Sequence, residues 1–144
     1  MERIQNGLAA ALPKIDSLKS VRRIRSKDFP RAPRCIEELH IPKQFRNSLS
    51  EKAFLLFDSY KNNLPERTII FATKDNLEVL GQCDQWFADG TFKSSHLFLQ
   101  LYVIHGLKNG IVIPLVYALM TNQSENAYDM VLGTLQDYAP DLNP

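Results

Sequence analysis

A single carboxylate inside an apolar run is the most chemically pointed feature of the sequence. In Trp86-Phe87-Ala88-Asp89-Gly90-Thr91-Phe92-Lys93, Asp89 stands among aromatic and small residues. An ionised acid in such company is costly unless it is paired, hydrogen-bonded or bound to a metal. The plainer use is a strand-end Asp that caps a turn with Gly90. His105 could act as a ligand or a base, and equally as a satisfied histidine at a strand end. Lys93 could steer a phosphate, or be a solvated strand-end lysine. A second cluster is basic: Lys19, Arg22, Arg23, Arg25 and Lys27. Such a cluster can bind phosphates or direct nuclear import. Part of it also suits the C-terminal end of a helix dipole.

The rest of the composition narrows the field. The chain has 144 residues, 44% hydrophobic and 23% charged, as in an ordinary globular protein. Net charge is only +1, but it is unevenly spread. Residues 1–34 hold 9 Lys/Arg and 3 Asp/Glu, or +6, and the remaining 110 hold 8 and 13, or −5. This describes a basic arm on a mildly acidic body. Cys35 and Cys83 lack companions at zinc spacing and read as free thiols in a reducing compartment; His40 near Cys35 does not complete a site. No signal peptide and no membrane-spanning run is expected: the longest uncharged apolar run, 111–120, is short and interrupted by Pro114.

The elements that must position these groups follow from periodicity. Residues 1–11 and 15–25 read as helices separated by Pro13, and 28–42, with three prolines, as a linker. Apolar runs at 53–57 and 68–73 read as two antiparallel strands. Asp75, or alternatively Thr73, can cap a short helix through Leu77 and Leu80 that closes at Gly81. The Asp89 stretch is then the first strand of the main sheet, with Phe87, Asp89 and Thr91 on one face and Trp86, Ala88 and Phe92 on the other. Residues 97–105 form a second strand, 106–110 a hairpin loop with the Asn109-Gly110 turn signal, and 111–120 a third strand. Pro114 removes a ladder donor, so the third strand should lie at the sheet edge or be bulged there. Ser124 caps a final helix carrying Tyr128, Val131, Leu132, Leu135 and Tyr138, stopped by Pro140.

These residues resemble the Mutator-like (MULE) transposase domain. The likeness rests on the 86–93 stretch, then Leu97-Phe98, Gln100-Leu101-Tyr102, Ile104-His105-Gly106, Pro114 to Leu119 and Tyr128. Leu12-Pro13, Leu18-Lys19, Arg22-Arg23 and Phe71-Ala72-Thr73 are similar to the region that precedes the domain in transposon-derived animal proteins. Ser95-His96 departs from the family, which commonly has a proline there. The resemblance implies an α+β chain with an incomplete ribonuclease H-like fold: a three-stranded antiparallel meander plus helix, preceded by a helical basic arm and a small hairpin. The arm and Pro-rich linker would occupy 1–45 and the domain 46–144. The implied sheet order, 3-2-1-4-5, makes the third strand an edge. The implied chemistry is DNA strand cleavage and transfer in the nucleus by two Mg²⁺ or Mn²⁺ ions held by three acids. Asp89 matches the first acid; the second and third are not expected within this sequence. Asp84, Asp129, Asp137 and Asp141 are poor substitutes. The expectation is therefore a transposase-like chain that is inactive alone, binding DNA through Arg22, Arg23, Arg25 and Lys27. The alternative is a non-catalytic DNA- or protein-binding module. The edge left beside the first strand is also a template for self-association.

Overall fold

The computed structural model describes residues 30–62, 66–93 and 95–142. The chain divides into two compact units, Met1–Pro33 and Arg34–Pro144, and the sheet and its helices belong to the second. The expected helices at 1–11 and 15–25, and with them Arg22, Arg23, Arg25 and Lys27, lie outside the described residues.

Residues 34–42 carry no helix or strand, and a short 3₁₀ turn comes next at Lys43–Phe45, directly after Pro42. Then come β1 (Leu55–Asp58), β2 (Thr68–Phe71), α1 (Lys74–Gly81), β3 (Gln85–Phe92), β4 (Gln100–Lys108), β5 (Ile111–Met120) and α2 (Glu125–Tyr138). Among the described residues the fold is α+β: one five-stranded antiparallel sheet, in the order β1-β2-β5-β4-β3, and two helices. Both helices start on hydroxyl caps: of the two candidates for α1, Thr73 rather than Asp75 serves, and Ser124 caps α2 as expected. Thr73 Oγ1 accepts the Asn76 N–H, and Ser124 Oγ accepts the Ala127 N–H. Both helices pack on one face of the sheet. There Leu77 and Leu80 of α1 and Val131 and Leu135 of α2 meet Ile70, Ile104, Val116, Ala118 and Met120.

Several expectations need correction. The β1–β2 hairpin is not separate from the meander. Ile69 and Ile70 of β2 pair with Leu119 and Ala118 of β5, so all five strands share one sheet. The third meander strand is consequently interior, not an edge, and the observed order differs from that expectation. Pro114 is tolerated for two local reasons. β2 reaches only Tyr117–Met120, so Pro114 has no ladder partner on that side. On the other side the register jumps from Ile104↔Val116 to His105↔Pro114, a bulge that leaves Leu115 extra. The bulge turns both Leu115 and Val116 into the core, at 4% and 0% exposure. Its free Leu115 carbonyl accepts from Asn76 Nδ2 at 2.8 Å, which ties the bulge to the first turn of α1.

The β4 strand starts at Gln100, not 97, and runs on to Lys108, so His105 is inside a strand. The loop before β5 shrinks to Asn109 and Gly110, both at positive φ (52° and 76°), as a two-residue type I′ turn demands. At the opposite end of the sheet, Arg67 is 5% exposed and fully engaged. It grips Asp58 with two bonds of 3.0 and 2.8 Å, and donates to the Ile36 and Leu39 carbonyls at 2.8 Å each. The guanidinium also lies 4.7 Å from the centre of the Tyr60 ring.

Candidate functional site

Strand alternation decides where Asp89 goes. Trp86, Gly90 and their even-numbered neighbours face the helices. Trp86 Nε1 donates to the Leu80 carbonyl at the end of α1, at 3.0 Å. The odd positions Phe87, Asp89 and Thr91 face the opposite side, where neither α1 nor α2 packs. Asp89 is exposed there, with Val103 directly opposite on β4 and Tyr117 next on β5. Sequence reasoning placed Asp89 on the right face, but its premise of a costly buried acid fails: β3 is a sheet edge, and water reaches the carboxylate. The turn-capping alternative fails as well, because Asp89 and Gly90 both lie inside the strand.

The same face brings His105 near. It pairs with Phe87, one diagonal step from Asp89, a separation of about 7 Å between Cα atoms. Asp89 and His105 together offer only two ligating side chains, one of them a carboxylate. Among the described residues no group of three His, Cys, Asp or Glu side chains is placed to hold a metal ion. Mg²⁺ dehydrates reluctantly and takes octahedral oxygen sites completed by further protein ligands, substrate phosphates and water. The described residues therefore do not make up the three-acid site by themselves. No catalytic step can be assigned through a metal on this surface. The other acids considered, Asp84, Asp129, Asp137 and Asp141, are exposed. Lys93 comes just after the strand at positive φ (55°), its N–H still bonded to the Leu99 carbonyl at 2.8 Å.

The glycine after Asp89 is explained on the opposite face. Gln100, 2% exposed, lies over Gly90, so that a Cβ on Gly90 would stand 2.2 Å from Gln100 Nε2. Gln100 Oε1 accepts from the Tyr128 hydroxyl of α2 at 2.8 Å. The Tyr128 ring also meets Tyr102 edge-on, with centroids 5.2 Å apart. Thus one helix, through Tyr128, Gln100 and Gly90, fixes the strand that displays Asp89. Gly106 plays a similar part: a Cβ there would approach Cys83 Sγ to 2.3 Å. Sequence reasoning singled out Gln100 and Tyr128 but missed their contact, which spans 28 residues.

Cys35 and Cys83 are free thiols, the first exposed and the second half-buried. No helix among the described residues is long and apolar enough to cross a membrane. Comparison of the chain with protein-family models, with curated proteins and with solved structures finds no match.

Proposed function

We propose that this chain carries the first acidic position of a ribonuclease H-like domain of the Mutator-like transposase class, and that it acts on DNA in the nucleus. The observation that supports the reading is the display of Asp89. It sits mid-strand in the first strand of an antiparallel meander, turned to the face away from the helices and open to solvent. A metal-binding acid that must meet a DNA phosphate needs that access, whereas a structural acid does not. In this reading Mg²⁺ or Mn²⁺ would neutralise charge on the attacking and leaving oxygens of a phosphodiester. Asp89 would be one of its ligands, with further acids supplied from elsewhere. The basic residues Arg22, Arg23, Arg25 and Lys27 supply phosphate contacts.

The chain by itself is then a DNA-binding protein without nuclease activity. The test is incubation with supercoiled plasmid and Mg²⁺ or Mn²⁺, alongside salt-dependent DNA binding. Binding should weaken steeply with salt and weaken further when Arg22 and Arg23 are both changed to Ala, while the plasmid stays intact. Nicking that disappears in Asp89→Asn would overturn the claim of inactivity. Binding unchanged in the double Arg variant would overturn the role of the basic arm.

The exposure of Asp89, without companion acids among the described residues, favours a second reading: a non-catalytic module derived from a transposase, holding DNA or protein. It differs in one outcome, since Asp89→Asn would then alter neither metal binding nor any DNA reaction.

A further inference from the structure

The two edges of the sheet are unlike. The β1 edge is four residues long and bulged between Leu55 and Phe57. The Arg46 carbonyl accepts the Phe54 and Leu55 N–H groups at 2.8 and 2.9 Å, and Asp58 is held by Arg67. These are the devices by which edges are protected from further pairing. The β3 edge has none of them among the described residues. It is eight residues long, pairs with β4 in unbroken register, and holds no proline or lysine. Phe87 and Phe92 on it are 45% and 57% exposed.

The direction of its free groups can be read from the ladder. The Lys93 N–H bonds to Leu99, so odd positions of β3 turn their backbone groups toward β4. The N–H and C=O groups of Trp86, Ala88, Gly90 and Phe92 therefore point outward.

We infer that this edge pairs antiparallel with the β3 edge of a second copy of the chain, about a two-fold axis at Gly90. Charge chooses the register. An axis at Asp89 would set the two Asp89 carboxylates directly opposite each other, within about 5.5 Å, which is unfavourable. Moving the axis one residue to Gly90 puts Asp89 opposite the other copy's Thr91, whose hydroxyl can donate to the carboxylate. It also puts Lys93 of the other copy on one diagonal from Asp89, and opposite Phe87; the other copy's Asp89 takes the second diagonal, about 7 Å off rather than face to face. Each copy thus supplies the cation for the other's acid, and the outward groups of Ala88, Gly90 and Phe92 meet their counterparts. An axis at Ala88 would instead set Asp89 against Phe87 and has no such match. The Gly90 arrangement is isologous and closes at two copies. It needs only the geometry of the edge, and so stands or falls apart from the proposed function.

The experiment is light scattering of the 144-residue chain across a concentration series at low salt. The mass should rise from 16.5 kDa to twice that value. Ala88→Pro, which removes an outward N–H and spares the β4 ladder, should shift the series back to monomer. Asp89→Lys or Lys93→Asp alone should weaken dimerisation at least tenfold, and the two together should restore it. Asp89 and Lys93 are both exposed, so these swaps leave folding intact, which circular dichroism checks. A monomer at every concentration, a dimer indifferent to Ala88→Pro, open-ended oligomers, or a double swap no better than the single ones would each overturn the inference.

Discussion

Gly90 and Gln100 occupy what would otherwise be the same space. A Cβ on Gly90 would stand 2.2 Å from Nε2 and 3.2 Å from Cδ of Gln100, whose side chain is buried under α2 and held by Tyr128. The side chain cannot swing aside without losing that bond. Gly90→Ala should therefore destabilise by about 1–3 kcal/mol, the usual cost of overpacking. Thermal unfolding measures it. Gln100→Ala should remove most of the clash, so the double variant should be less destabilised than the sum of the two changes.

The Arg67–Asp58 pair should be the least replaceable polar contact in the sheet. Arg67→Ala leaves the Ile36 and Leu39 carbonyls without their guanidinium donor, and a largely buried Asp58 carboxylate without its cation, keeping the Tyr60 N–H on Oδ1. Removing one partner of such a pair costs about 3–5 kcal/mol. Arg67→Lys should recover little, since an ammonium cannot grip both carboxylate oxygens while reaching two carbonyls. Urea unfolding of the three proteins makes the comparison.

Asn76 should matter more than an ordinary residue of a helix's first turn. It donates to the bulge carbonyl of Leu115 and also bonds Thr73, the cap. Asn76→Ala should cost about 1–3 kcal/mol, because the Leu115 carbonyl loses its partner. The loss should appear as faster amide exchange at both the bulge and the start of α1.

Alkaline pH should weaken the fold through Tyr102. Burial, with a smaller contribution from neighbouring Tyr128, pushes its phenol above the ordinary value of 10.0. An unfolded chain then releases this proton at lower pH than the folded one. Stability from this source is present below about pH 10 and falls as pH rises through the folded value. Tyr102→Phe should flatten the alkaline limb of a stability–pH curve.

Much of this architecture was legible in the sequence, and the failures share a cause. Alternation in 86–92 assigned the faces of β3, Asn109-Gly110 marked the hairpin, Ser124 marked one helix start and the pair Asp75 and Thr73 bracketed the other, because each depends on neighbours in the chain. Pro114 signalled an edge strand or a bulge; the bulge is what forms, and the edge position that the resemblance implied does not. The pairing of β2 with β5 joins residues about fifty apart, and no local pattern encodes it. Asp89 was identified as the residue to watch, yet its exposure depends on β3 being outermost, a property of sheet order. Arg67 went unnoticed because its partners come from three separate segments, around residues 36–39, 58–60 and 121.

The central claim is that Asp89 is a metal-binding acid lacking companions in the described surface. Titration of the isotope-labelled chain with Mn²⁺, tracked by paramagnetic broadening of backbone amide signals, tests it most directly. The account predicts weak, millimolar-range broadening centred on residues 87–91 and their β4 partners, abolished in Asp89→Asn. Broadening that leaves this stretch untouched, or that survives the Asp89→Asn change, would contradict it.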